Sequence, residues 1–150
     1  MVDNKIITIS APTWVNIIPI TSNEEVIFVK QYRYGIKTST LEIPGGMVDP
    51  GESSLTAIKR ELLEETGYLS NQITKLGDIS PNPAIFSNDV SSYLACDVQK
   101  INNYVMQESE KIEVILIPLK NIPDLIIDGE INHALVIAAF YLYEKFKISA

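Results

Sequence analysis

Along the first half of the chain, apolar residues come in short β-branched and aromatic runs, and the period then changes. "EVIFVKQYR" (residues 25–33) reads as a strong strand. Lys5–Ile9, Thr13–Ile20, Thr40–Ile43, Ile73–Ser80 and Ser91–Val98 also read as strands, and Ile112–Leu119 is the most apolar of the set. From about Ser53 to Thr66 the apolar positions recur at helical spacing, and Gly67 stops the helix. At 100° per residue Leu55, Ile58 and Leu62 share a narrow arc, the expected core face. A second helix is predicted from about Glu130 to Lys145, with Ile131, Leu135, Ala138 and Leu142 turned to the core. "PNPAIFSND", with two prolines and two asparagines, reads as a loop between strands. No repeat, low-complexity segment or linker interrupts the chain, so residues 1–150 are expected to form a single domain. Strands mixed with two helices predict an α/β fold whose sheet is covered on both faces.

Composition narrows the function without choosing it. The 150 residues carry 19 acids against 12 basic side chains, a net charge of −7. That balance argues against nonspecific binding to nucleic acid or an anionic membrane. It leaves nucleotide ligands open, because a bound cation reverses the local field. Cys96 is the only cysteine, so no intrachain disulfide is possible, which fits a reducing compartment. Within "SSYLACDVQ" it is expected to be a small buried apolar residue. "MVDNKIITIS" lacks the basic region and long apolar run of a signal peptide, and no stretch approaches the roughly 20 residues of a membrane span. A cytoplasmic protein is expected, with neither nucleic acid nor membrane as partner.

The chemistry gathers on the first helix. Glu65, Glu61 and Glu64 follow one another along the flank beside its core arc. Like charges at this spacing repel. A hard divalent cation such as Mg²⁺, which takes oxygen ligands and completes its shell with water and substrate phosphate, would offset the repulsion. Taken alone, "IKRELLEETG" reads first as a solvated acidic face, or one supported by lysines at i,i+4.

The flanking residues change that balance. Gly46, five residues, Glu52, seven residues, then Arg60-Glu61-Leu62-x-Glu64-Glu65-x-Gly67-Tyr68 is the full pattern G-x5-E-x7-R-E-U-x-E-E-x-G-U, where U is a bulky aliphatic residue. At about 7% usage per fixed residue, seven fixed matches arise about once in 10⁸ placements. The chain closely resembles a Nudix hydrolase; Tyr68, at the final packing position, is the one soft departure. The resemblance implies an α/β/α sandwich with a mixed β-sheet between helices. It also implies cleavage of a nucleoside diphosphate linked to another group, X. By the same resemblance Glu61 and Glu65 match the principal metal ligands, Glu64 the supporting one, and the carbonyl of Gly45 a backbone ligand. Mg²⁺ is the implied cofactor, with Mn²⁺ able to substitute. Arg60 and Glu52 match the pair that orients the helix and its loop. Helical rotation places Arg60 away from the carboxylate flank, where its planar fork would hold Glu52 bidentately; a free surface pair is the alternative.

Hydrolysis of a pyrophosphate needs its charge neutralised and a water activated, tasks for a metal and a general base. "MQESEKIEV" offers Glu108, Glu110 and Glu113. ADP-ribose pyrophosphatases carry a similar Glu-x-Glu just before a strand. By that match Glu108 is the base and Glu110 an auxiliary metal ligand, with a solvated loop as the alternative.

The flanks speak to X. "VKQYRYGIKTSTLEIPGG" resembles the ADP-ribose and nucleotide-sugar pyrophosphatase branch, where a Q-Y-R strand is followed by an E-x-P-x-G turn. In that branch Arg33 would meet the diphosphate and Glu42 would shape the site. A proline about fifteen residues past the box is also expected there, and Pro83 lies fifteen positions after Tyr68. The loop "SPNPAIFSN" departs from the commonest ADP-ribose version, so the resemblance leaves X open. Phe86 or Tyr34 could stack on a base or simply pack. His133 is read as structural. The branch often forms homodimers, and Trp14 is either part of such an interface or buried within its own chain. The products expected are a nucleoside monophosphate and a sugar phosphate. Nucleoside triphosphate pool cleaning and non-catalytic ADP-ribose sensing stay open as other classes. An RNA-end pyrophosphohydrolase is the weakest, since no basic track serves RNA.

Overall fold

The computed structural model describes residues 7–101 and 112–149. Among these are nine strands: β1 (Trp14–Pro19), β2 (Glu25–Arg33), β3 (Thr38–Glu42), β4 (Gly45–Met47), β5 (Tyr68–Leu69), β6 (Gln72–Ile79), β7 (Val90–Cys96), β8 (Gln99–Lys100) and β9 (Glu113–Pro118). Three helices join them: α1 (Ser54–Thr66), α2 (Ile122–Ile127) and α3 (Ala134–Ser149). The expected mixed sheet is divided. One sheet has the order β4-β1-β7-β6, with β1 and β7 parallel and the outer pairings antiparallel; an antiparallel sheet has the order β3-β2-β9; β5 pairs with β8.

The two faces follow from the period of two along a strand. On β1, Val15 and Ile17 pack with Ala57, Ile58 and Leu62 of α1, and Tyr93 and Ala95 of β7 join them. Ile18 turns the other way, to Val26, Phe28, Leu94 and to Val136, Ala139, Phe140 and Tyr143 of α3. The result is the expected α/β/α sandwich with two apolar layers. Each fully buried Ile, Leu or Phe contributes roughly 1.5–3 kcal/mol of burial. Phe28 is such a residue, and its ring stacks on Phe140 at 6.1 Å between centroids.

Several expectations are corrected. Lys5–Ile9 is not a strand where described: Ile9 makes a single parallel bridge to Phe86, and Ile7 and Thr8 are unpaired. The glycine turn is a short strand, β4, because Gly45 and Gly46 lie opposite Asn16 and Val15 of β1. Leu55 is exposed although it lies on the core arc, because it stands in the first turn of α1; the buried positions are Ala57, Ile58, Leu62 and Thr66, which run to the C-terminal end of the helix. The second long helix starts at Ala134, and its buried positions are Val136, Ala139, Phe140 and Tyr143. Ile131 is fully buried, but in the segment before the helix, while Leu135, Ala138 and Leu142 are half-buried at the edge of that face. The short helix α2 was not foreseen. Cys96 is half-buried at the end of β7, where burial, with Asp97 nearby, pushes its thiol pKa up.

Candidate active site

The acidic helix is held at both ends and along one side. Ser53 caps it, its Oγ accepting from the Thr56 N–H at 3.1 Å. Gly67 ends it in the left-handed region (φ 73°), donating its N–H to the Leu63 carbonyl at 2.8 Å. In the preceding turn the Glu52 N–H donates to the Asp49 carbonyl at 3.0 Å, and the Asp49 N–H returns a bond to Glu52 Oε2 at 3.2 Å.

Arg60 joins turn, strand and helix. Its Nε and Nη2 donate to the two oxygens of Glu52 at 3.3 and 3.1 Å, and Nη2 also reaches the Met47 carbonyl at 3.0 Å. Nη1 donates to Glu61 at 2.8 Å and Glu64 at 3.2 Å. Arg60 therefore does not lie away from the carboxylate flank. Its long side chain bends so that one fork serves both sides of the helix edge. The charge-assisted bond from Arg60, aided by the Asp49 N–H, holds the Glu52 carboxyl below its usual value. The same acids, Glu52 first, hold the guanidinium proton more firmly still.

Two adjacent glycines admit the acids to the sheet. A Cβ on Gly46 would stand 2.3 Å from Glu61 Oε1, so only glycine lets that carboxylate lie against the strand. A Cβ on Gly45 would meet the Val15 carbonyl oxygen at 2.2 Å. The Gly45 N–H donates to Glu65 Oε2 at 3.0 Å.

Glu61, Glu64 and Glu65 line a cavity of about 710 Å³, together with Gly45, Gly46 and Arg60. Arg33, Glu42 and His133 line it too, with Trp14, Asn16 and Gln31. Arg33 Nε and Nη2 each donate to one oxygen of Glu42 at 2.7 Å, a fork-to-fork pair. The Thr40 hydroxyl donates to the same carboxylate. Burial alone would raise the Glu42 pKa, but the bonds from Arg33 and Thr40 outweigh it and the value is lowered.

The donor set suits a hard divalent cation: carboxylate oxygens on one helix face and a strand carbonyl segment that bears no side chain beside them. Among the described residues no three acids converge as a ready-made cage. Glu61 and Glu64 hold Arg60, and Glu65 holds the Gly45 N–H. To hold an ion together, these carboxylates would have to turn from their present partners.

Not all expected residues gather here. Glu108 and Glu110 lie outside the described residues. Glu113 opens β9 opposite Lys30, exposed and away from the cavity lining. Tyr34 is also outside the lining, exposed and edge-on to Tyr32 at 5.2 Å. Pro83 and Phe86 sit in the β6–β7 loop, where Phe86 bridges to Ile9; neither lines the cavity. Trp14, placed at an interface or in the core by sequence, is on the cavity wall. Asn16, Gln31 and His133 were not expected there. Asn16 had a visible signal, a lone amide inside the apolar run "WVNIIP". His133 had none, because only the docking of α3 brings it to Glu42.

The NUDIX domain model matches residues 12–140. ADP compounds hydrolase NudE of Escherichia coli is 31% identical over 131 residues, spanning 87% of this chain and 69% of that protein. ADP-ribose pyrophosphatase of Bacillus subtilis is 29% identical over 124 residues, 82% of this chain and 67% of that one. A crystal structure of ADP compounds hydrolase superposes with a TM-score of 0.79 at 30% identity, covering 90% of this chain and 74% of that one. With the box on α1 and its turn, the two-faced sandwich and these likenesses agreeing, the chain belongs to the Nudix family of pyrophosphohydrolases.

Proposed function

We propose that this protein hydrolyses the pyrophosphate bond of a nucleoside diphosphate linked to a sugar, ADP-ribose or a nucleotide sugar. The products are a nucleoside monophosphate and a sugar phosphate. The observation that carries the reading is one cavity of about 710 Å³ shared by the acidic flank of α1 and the Arg33–Glu42 pair. That volume is of the size that takes a small organic ligand. Relatives named for ADP compounds and ADP-ribose support the choice.

Nudix enzymes generally use divalent cations, and Mg²⁺ is proposed here, held by Glu61, Glu65 and the Gly45 carbonyl with Glu64 in support. When bound, the ion neutralises phosphate charge and activates water. Arg60 and Glu52 keep α1 and its turn in register, so that the carboxylates share one edge. Arg33, anchored by Glu42, offers a fixed guanidinium to a phosphate oxygen. Glu108 is proposed to take the proton of the attacking water and Glu110 to assist the ion. Tyr34, Pro83 and Phe86, outside the cavity lining, are proposed as substrate contacts. A homodimer in the cytoplasm completes the proposal; no described helix is long and apolar enough to cross a membrane.

A product-resolved panel with Mg²⁺ tests the reading: ADP-ribose, nucleotide sugars, dinucleoside polyphosphates and nucleoside triphosphates. The expected result is the highest kcat/KM for a diphosphate sugar. A clear preference for a triphosphate, with release of pyrophosphate, would transfer the protein to the pool-cleaning class. Binding of ADP-ribose without turnover would make it a sensor.

A further inference from the structure

We infer that His133 is a positioning residue for the substrate anion: through Glu42 it sets the orientation of Arg33, and so couples α3 to the diphosphate. The inference rests on the proposed nucleoside-diphosphate reading. Its basis is the set of groups around one buried carboxylate. Glu42 Oε1 receives Arg33 Nε and the Thr40 hydroxyl; Oε2 receives Arg33 Nη2 and faces His133 Nε2 at 3.6 Å. The Glu42 side chain is only 6% exposed, so it has little water to solvate its charge and depends on these groups. Arg33 and Thr40 come from the β2–β3 hairpin. His133, at the start of α3, brings a group from outside that hairpin.

The backbone of α3 decides which ring nitrogen faces Glu42. The Leu135 N–H donates to His133 Nδ1 at 3.3 Å, and the Val136 and Ile137 N–H groups donate to the His133 carbonyl at 3.0 and 3.1 Å. An accepting Nδ1 carries a lone pair, so the hydrogen of the neutral ring sits on Nε2, toward the carboxylate. At 3.6 Å the contact is electrostatic rather than a full hydrogen bond, and a small shift of α3 or of the hairpin would close it. Arg33 and His133 line the same cavity as the metal-binding flank. A phosphate drawn to Arg33 pulls on the fork that Glu42 holds, and His133 keeps Glu42 from following. The side-chain partners of His133 among the described residues, Glu42 and the Leu135 N–H, lie outside the acidic helix and its turn, so its effect is expected on binding.

Two substitutions separate this role from simple capping. His133→Asn keeps a short side-chain acceptor for the Leu135 N–H but is too short to reach Glu42. His133→Gln places an amide N–H near the position of Nε2 but lacks the short acceptor. Affinity for ADP in the presence of Mg²⁺ is measured by calorimetry, beside KM, kcat and thermal stability. For His133→Asn, the Kd for ADP and the KM should rise about 3–10-fold, the loss of one weak polar contact, while kcat moves less than about twofold. His133→Gln should restore Kd and KM to within about twofold of the parent while lowering Tm. Unchanged Kd and KM in His133→Asn would make His133 a cap alone and overturn the inference. If the parent binds ADP but hydrolyses no diphosphate, the catalytic reading falls, and the ADP affinities of the two variants still decide His133. If the parent does not bind ADP at all, both fall.

Discussion

A Cβ placed on Gly46 would stand 2.3 Å from Oε1 of Glu61. The strand entering the turn and the first acid of the helix thus occupy complementary space. The obstacle is the end of a flexible side chain, so Gly46→Ala should leave the fold standing and displace the carboxylate. Activity should fall roughly tenfold or more through the misplaced ligand, with Tm close to the parent. Gly45→Ala is expected to differ, because its Cβ meets backbone: the Val15 carbonyl oxygen at 2.2 Å and Asn16 Cα at 2.9 Å. It should lower Tm or abolish folding. Parallel melting curves and rates for the two variants check the contrast; equal Tm values would refute it.

Glu65→Gln preserves the side-chain shape and retains an oxygen that can accept from the Gly45 N–H. It removes one charge from a crowded flank, so the metal-free protein should melt at or slightly above the parent temperature. With Mg²⁺ and substrate, kcat should fall at least roughly 10²-fold, because charge stabilisation at the pyrophosphate is lost. Parent-like turnover would return the acidic flank to ordinary solvated surface.

Arg60→Ala should lose stability and activity together. Its guanidinium contacts Glu52, Glu61, Glu64 and the Met47 carbonyl, and without it the acids face one another unscreened. A Tm lower by roughly 4 °C is expected. Arg60→Lys should recover little, since a single ammonium cannot serve both sides of the helix edge. A lysine variant matching the parent in Tm and rate would show that charge alone suffices.

The Glu42 pKa is lowered from its usual 4.5 by Arg33 and Thr40, against the upward push of burial. A lowered folded value means that ionised Glu42 stabilises the fold fully above about pH 4.5, and that this contribution fades as pH falls through the folded value. Glu42→Gln should therefore reduce Tm clearly at pH 7 and progressively less below pH 4. Melting curves across that range test the sign; a stability gap that widens in acid would contradict it.

Turnover should require a divalent cation and stop in excess chelator, with Mg²⁺ effective in the millimolar range because oxygen ligands bind it weakly without substrate. Thermal stability should change little on chelation, since α1 is already capped and Arg60 already screens the acids. Full activity in excess chelator would remove the metal from the reaction.

How much of this was legible in the sequence depends on the range of the interaction that decides each feature. The β2 strand and the ends of α1 follow from local signals: a β-branched and aromatic run, a serine cap, and a glycine free to adopt the left-handed region. The box likewise fixed spacing within one turn and one helix, and the structure sets Glu61, Glu64 and Glu65 on the cavity wall. Where packing decides, local signals fall short. Leu55 and Leu135 have the right periodicity, yet Leu55 stands in the exposed first turn of α1, and the core face of α3 is rotated to Val136, Ala139, Phe140 and Tyr143. Helical rotation locates the Cα of Arg60 but not the reach of its side chain, which spans the flank and depends on where Met47 and Glu52 lie. The edge strand Gly45–Met47 arises from pairing with β1, about thirty residues away in sequence. His133 is the extreme case, ninety-one positions from Glu42 and brought to it only when α3 docks. Local periodicity and spacing determined which residues carry the chemistry of the box; long-range packing alone decided which wall faces it.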